Sequence, residues 1–373
     1  MKVLIAPNSM KGSLNAFDFA DTVEEALLIS LSDVKVRKIP VADGGDFTGE
    51  VLAKALNAKI VNVEVFGPLG KKIISKYFVS DKTAIIEMAD ASGMKLIDKN
   101  DLNPLKTSSI GTGELINDAI LNGCNKIFLA IGGSATVDGG MGMLEALGFG
   151  FFDKNGTKLP GNGNNLGAVF NITVPKIISE VSIKIICDVD NPLLGENGAA
   201  AVFGPQKGAT PEMVVQLEKG LKNWAEIMQK KTGKEVAMLK GTGAAGGIAL
   251  PLISVFNAEI VSGADFVLTV LDFDKHVKWA DVIITGEGKL DAQTLNNKAP
   301  FAVLQWARKE NKPVFAFGGR VEMEAAYLFD DVFSISDEHM DVEYAMKNAQ
   351  KLLYRCTLEN AKKIETQVAK GNK

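Results

Sequence analysis

Val3-Leu4-Ile5-Ala6-Pro7-Asn8-Ser9-Met10-Lys11-Gly12-Ser13 is an apolar run that stops at a proline and gives way to a short polar loop. Beyond it Ala16, Ala20, Val23 and Leu27 recur at helical spacing on one face, and Ser13 is placed to cap that helix. A strand, a loop containing glycine and an amphipathic helix make one β-loop-α unit, the repeating element of a parallel sheet covered by helices. The unit recurs along the chain. Residues 34–41 lead through Ala42-Asp43-Gly44-Gly45-Asp46 to a helix around 48–56, and 127–131 lead through Gly132-Gly133-Ser134-Ala135-Thr136 to a helix near 140–147. Near the end, 282–285 precede a Gly286-Glu287-Gly288 loop and 314–317 precede Gly318-Gly319-Arg320.

The texture differs between 59 and 90. Runs at 59–66, 72–79 and 83–88 read as strands joined by turns with no helix between them, which predicts antiparallel pairing. Residues 211–231 read as a helix opened by Thr210 and Pro211 and closed by Gly233. At 373 residues the chain is longer than one hydrophobic core supports. The expected fold is therefore α/β with two domains. Residues 1–62 and 275–373 form a discontinuous Rossmann-like parallel-sheet domain, and 63–274 form an inserted mixed-sheet α/β domain.

Composition narrows the function. A net charge of −4 and the absence of a long basic run leave no source for the phosphate contacts that nucleic-acid binding needs. No stretch is apolar for long enough to span a bilayer, and the first apolar run is too short for a signal peptide. Cys124, Cys187 and Cys356 are odd in number and far apart, which fits neither a disulfide framework nor a zinc site and points to a reducing cytoplasm. With only His276 and His339 in the chain, carboxylates and lysines must carry the proton chemistry.

Ligands of open parallel sheets bind at the carboxyl ends of the strands, where the glycine-rich loops are expected to lie. The loop from Gly132 and Gly133 through Ser134 and Thr136 to Asp138 offers amides, hydroxyls and a carboxylate for phosphates, or alternatively is a tight turn with Asp138 as a helix cap. Gly286, Glu287 and Gly288 follow the same logic, with Lys289 and Lys298 as phosphate-neutralising cations or as solvated surface residues. Asp188 and Asp190 would share a face if the strand before them continued, which suits magnesium; they read equally as turn formers before Pro192. Lys11 can neutralise a transferring phosphoryl group, and Asp43 or Asp46 can orient a hydroxyl, bind metal or simply form a turn. No G-x-x-x-x-G-K-[ST] motif occurs. Gly241-Thr242-Gly243-Ala244-Ala245-Gly246 matches G-x-G-x-x-G and keeps open a dinucleotide-dependent dehydrogenase of small hydroxy acids, although Pro251 interrupts the helix that should follow.

These blocks together resemble the bacterial glycerate kinases. The likeness runs through Ala6-Pro7-Asn8-Ser9-Met10-Lys11-Gly12-Ser13-Leu14, Ala42-Asp43-Gly44-Gly45, Phe66-Gly67-Pro68-Leu69-Gly70 and Asn103-Pro104-Leu105-Lys106-Thr107. It continues through Ile131-Gly132-Gly133-Ser134-Ala135-Thr136, Cys187-Asp188-Val189-Asp190-Asn191-Pro192, Val202-Phe203-Gly204-Pro205-Gln206-Lys207-Gly208 and Ile284-Thr285-Gly286-Glu287-Gly288. The resemblance implies two domains with an active site in the cleft between them, and transfer of phosphate from ATP with Mg2+ to D-glycerate, giving 2-phosphoglycerate. It also reassigns the 241–247 stretch to a kinase motif. On this reading Lys11 steadies the phosphoryl group, Asp188 or Asp190 holds magnesium or orients the hydroxyl, and Ser9, Asp43, Gly44 and the loops at 132–138 and 286–288 bind substrate or nucleotide. Lys207 or Lys289 would meet the substrate carboxylate. The enzyme would be cytoplasmic, a monomer or homodimer. The chain departs from the family pattern at Asn8 (usually aspartate), Phe47, Val137, Lys289 and Asn297. Those departures keep open a related hydroxy acid as substrate, or a nucleotide-binding regulator without turnover.

Overall fold

The computed structural model describes residues 1–45, 47–175, 180–291, 298–322, 325, 327–337 and 339–371. Asp46 and Asn297, singled out in the sequence, lie outside them. The strands are β1 (Lys2–Ile5), β2 (Lys35–Lys38), β3 (Lys59–Phe66), β4 (Lys72–Ser80), β5 (Thr83–Glu87), β6 (Lys126–Ala130) and β7 (Gly150–Phe152). They continue with β8 (Lys158–Leu159), β9 (Asn171–Thr173), β10 (Ser182–Ile186), β11 (Glu259–Val261), β12 (Val282–Leu290), β13 (Val314–Val321) and β14 (Asp331–Ser334). Two compact units divide the chain, one of residues 1–55 and 262–373 and one of 56–261.

The sequence placed the divisions at 62/63 and 274/275. β3 begins at Lys59 and pairs along its whole length with β4, which draws residues 59–62 into the second unit. The helix Gly263–Val270 packs instead on the helices Thr48–Ala55 and Ala299–Lys309 of the first.

The first unit holds a five-stranded sheet in the order β14-β13-β12-β1-β2, every pair parallel. Alternation at period two buries both faces. Val3, Ile5, Ile284, Phe315 and Phe317 pack under the helices Ala16–Ser30 and Ala349–Gly371, contributing Phe19, Val23, Leu353 and Ile364. Leu4, Ala6, Ile283, Val314 and Ala316 face Leu268, Phe273, Val277, Val303 and Ala307 on the opposite side. Asn15, not Ser13, caps the first helix: its carboxamide oxygen accepts from the Asp18 amide at 2.8 Å, while Ser13 Oγ donates to the Met346 carbonyl at 2.6 Å.

The second unit holds a mixed sheet, β11-β10-β6-β5-β4-β3. As the sequence predicts, β3, β4 and β5 are antiparallel; β5, β6, β10 and β11 are parallel. A small antiparallel sheet has the order β8-β7-β9. The helix Pro211–Thr232 has the predicted Thr210 cap, accepting from Met213 N, and ends on Gly233 in the left-handed region. Among the described residues no helix is long and apolar enough to cross a membrane.

Candidate active site

In the first sheet the chain runs outward from β1 to β2, then returns beside β1 and runs the other way through β12, β13 and β14. The direction reverses between β1 and β12, and a crevice opens at the carboxyl ends of strands at such a point. A pocket of about 440 Å³ lies there. The segments after β1 and β2, the distal parts of β12 and β13 and the segment after β14 line it, joined by the helix Val342–Lys347.

Backbone pairing sets the first wall. The Asn8 amide donates to the Gly286 carbonyl at 2.8 Å, extending the β1–β12 ladder past Ile5, and the Val41 amide donates to the Pro7 carbonyl at 2.9 Å on the other side. These bonds bring Asn8 and Asp43 together, and Asn8 Nδ2 donates to Asp43 Oδ2 at 3.0 Å. Asn8 Oδ1 accepts from the Ser9 amide at 2.8 Å, so the carboxamide is fixed at both ends. The neutral Asn8 leaves Asp43 as the single negative charge of this pair. Asp43 Oδ1 accepts from the Gly45 amide, and Gly44, in the left-handed region at φ 90°, donates to Thr48 Oγ1 at 3.1 Å. Phe47 also sits at φ 67°, a conformation a phenylalanine adopts only under constraint.

Two loops expected from the sequence are strand. β12 runs through Gly286, Glu287, Gly288 and Lys289 to Leu290, and β13 through Gly318, Gly319 and Arg320 to Val321. Close backbone approach, not a turn, demands Gly286 and Gly319: a Cβ on Gly286 would stand 2.3 Å from the Phe317 carbonyl oxygen. Glu287 and Lys289 instead reach the pocket as strand residues.

Ser9, Lys11, Asp43, Glu287, Gly288, Lys289 and Lys298 thus line one pocket, as does the Asn8 noted as a departure; Gly44 and Gly286 are not part of its lining. Its cations differ in state. Lys289 is held by Glu322 at 2.6 Å and Asp291 at 3.1 Å, hydrogen bonds that push its ammonium above the usual lysine range. Lys298 lies 4.0 Å from the buried Glu287. Lys11 and Arg320 are exposed and have no ion-pair partner among the described residues. Arg320 was not singled out as a site residue, because its lack of a partner depends on how β13 lies beside β12.

The remaining candidates belong to the second unit. Lys207 is only 2 % exposed and donates to Ser134 Oγ at 2.8 Å and to the Thr136 carbonyl at 2.7 Å. Burial pulls its pKa from the ordinary 10.5 to about 7, against the opposing pull of Asp138. Through these two bonds it ties the 132–136 loop to its own segment from inside. Asp138 is fully buried, and its carboxylate accepts from the amides of Ser109, Gly140 and Gly142 and from Ser109 Oγ. Burial raises its pKa while those bonds oppose the rise. Such saturation matches the turn-forming reading of Asp138. Thr136 is also buried, and Gly132 and Gly133 are half-buried.

β10 ends at Ile186, two residues before Asp188, so the strand spacing expected to align Asp188 with Asp190 is not present. Asp190 is exposed and bound to Lys240 at 2.8 Å. No cluster of three potential metal ligands occurs among the described residues. The 241–246 motif lacks the strand before it that a dinucleotide site requires, and Gly243 and Gly246 pack against the carbonyls of Pro192 and Thr136, where a Cβ would stand 2.1 and 2.0 Å away.

Cations without an ion-pair partner among the described residues, together with fixed carboxylates, at the switch point of a doubly covered parallel sheet define an α/β protein that binds a small anionic molecule. Comparison with known proteins supplies the family. A sequence model described as the glycerate kinase family matches residues 3–365. A glycerate kinase of Haemophilus influenzae is 41% identical over 373 residues, covering 98% of each chain, and a glycerate 2-kinase of Escherichia coli K12 is 37% identical over 366 residues, covering 96% of each. The crystal structure of a Salmonella typhimurium LT2 protein designated glycerate kinase 2 superposes with a TM-score of 0.85 at 39% identity, covering 98% of this chain and 99% of that one. The chain belongs to the glycerate kinase family.

Proposed function

We propose that the protein transfers the terminal phosphoryl group of ATP to the 2-hydroxyl of D-glycerate, giving 2-phosphoglycerate and ADP. One observation carries this reading: the end-to-end likeness to glycerate kinases includes the segments that meet in the first unit's pocket. The hydroxyl oxygen forms a bond to the terminal phosphorus while the bond from phosphorus to the bridging oxygen of ADP breaks. Asp43, held by Asn8 and the Gly45 amide, orients that hydroxyl and accepts its proton. Lys11 offsets charge on the transferring group, and Arg320 provides a planar fork for a carboxylate or phosphate.

Magnesium needs only one or two protein carboxylates when substrate phosphates supply other ligands, and Glu287, an oxygen donor lining the pocket, fits that demand. Bound there, the ion would neutralise phosphate charge. Positioning and charge complementarity supply the rest of the catalysis. The assignments of Asp188 and Asp190 remain part of this proposal; full turnover by Asp188→Asn would remove that residue from it. Three free cysteines agree with a reducing cytoplasm, where the protein would act as a monomer or homodimer.

The test couples purified protein, Mg-ATP and D-glycerate to enolase and pyruvate kinase. Signal without phosphoglycerate mutase is the expected result. Signal only with the mutase means the 3-phosphate, and no signal with either refutes the reaction. ATP binding without turnover would instead favour the regulator that Asn8 and Phe47 left open. The dehydrogenase reading loses its support with the strand its motif lacks.

A further inference from the structure

We propose that Ile335, Val342, Ala345 and Met346 form the seat of the nucleotide's adenine ring. The inference rests on the reading of ATP as phosphoryl donor. The pocket lining is of two kinds: Lys11, Asp43, Glu287 and Arg320 are ionisable, and these four residues are apolar. The helix Val342–Lys347 buries none of its residues, so core packing does not explain its apolar side chains. Val342 is 51 % exposed and Met346 41 %. Yet the helix is held in place: Asp341 caps it by accepting from the Tyr344 amide, and the Met346 carbonyl accepts from Ser13 Oγ. Ser13 lies two residues beyond Lys11, and a Cβ on Gly12 would stand 3.1 Å from Met346 Cε. The apolar wall and the Lys11 loop are therefore one fixed surface.

Elimination identifies the occupant. Glycerate carries an oxygen on each of its three carbons, and the polyphosphate is charged throughout, so neither has an apolar face to match this wall. Adenine does. A three-carbon acid would also leave most of the pocket empty, whereas about 440 Å³ falls in the range that encloses a much larger ligand. With the base against Val342 and Met346, the phosphates extend toward Lys11 and Arg320.

The experiment titrates the full chain with ADP and, separately, with inorganic tripolyphosphate, comparing wild type with the double variant Val342→Asn/Met346→Gln. Both positions are exposed and the changes are uncharged, so the fold and the field at the phosphates are preserved. The expected result is ADP binding weakened about ten-fold or more, with tripolyphosphate affinity and the KM for D-glycerate within two-fold of wild type. Equal weakening of ADP and tripolyphosphate, an effect confined to glycerate, unchanged ADP affinity, or a wild type that does not bind ADP would each overturn the assignment. Wild type that binds ADP but does not phosphorylate glycerate would refute the proposed reaction while leaving the base seat to be decided by the titration.

Discussion

Lys207 allows the energetics of the second unit to be tested with numbers. Its ammonium is buried, and its pKa falls from 10.5 to about 7 because burial penalises the charge. Between those values the unfolded chain binds the proton and the folded chain does not, so stability rises with pH across the window; below pH 7 both states are protonated and the cost of burying the charge is borne in full. One pH unit corresponds to about 1.36 kcal/mol, so from pH 7.5 to 9.5 this group adds about 2.5 kcal/mol to folding. Lys207→Met removes the titration and leaves Ser134 Oγ and the Thr136 carbonyl without their donor, at about 1–3 kcal/mol each. Near neutral pH the two effects oppose each other, whereas at pH 9.5 the lost hydrogen bonds dominate. Urea unfolding followed through Trp224, buried in the same unit, measures this once Trp279 and Trp306 are changed to Phe in both proteins. The stability gap between parent and Lys207→Met should widen with pH by about 2.5 kcal/mol over that range. A gap independent of pH, or one that narrows, would refute the reasoning.

Lys11→Met should lower kcat about a hundred-fold or more with an unchanged thermal midpoint, since among the described residues the ammonium has no ion-pair partner to lose; steady-state kinetics with differential scanning fluorimetry checks both. Arg320→Lys should raise a substrate KM despite keeping the charge, and Arg320→Ala should raise it further, because the planar fork is what a carboxylate or phosphate engages. At Phe47, held at φ 67°, the glycine variant should be more stable than the alanine variant by about 1 kcal/mol: both lose the ring, but only glycine relieves the backbone. Chemical denaturation of the two variants decides it.

Much of this architecture was legible because local patterns reported local structure. Apolar runs marked β1, β6, β12 and β13 ahead of their glycine-bearing segments, and Thr210, Pro211 and Gly233 bounded their helix as capping chemistry requires. The antiparallel trio β3, β4 and β5 followed from turn residues with no helix between. Errors arose where a residue's meaning depended on distant neighbours. Glycine reads as a turn signal, yet Gly286 and Gly319 are strand residues shaped by the adjacent strand: a Cβ on Gly319 would meet the Gly288 carbonyl oxygen at 2.3 Å. Nor does anything in its own segment reveal that Lys207 donates to Ser134 and Thr136, some seventy positions earlier. Arg320 was overlooked for the converse reason, and the apolar side chains at 342 and 346 stood out only once their helix was seen to bury nothing.

The central claim is that the carboxyl ends of the first unit's strands bind the reactants of phosphoryl transfer. A crystal structure of the protein with a non-hydrolysable ATP analogue, magnesium and D-glycerate measures this directly. The account predicts the nucleotide's phosphates beside Lys11 and Arg320, with Asp43 within hydrogen-bond distance of the glycerate hydroxyl. A nucleotide bound elsewhere, with that pocket filled only by solvent, would contradict it.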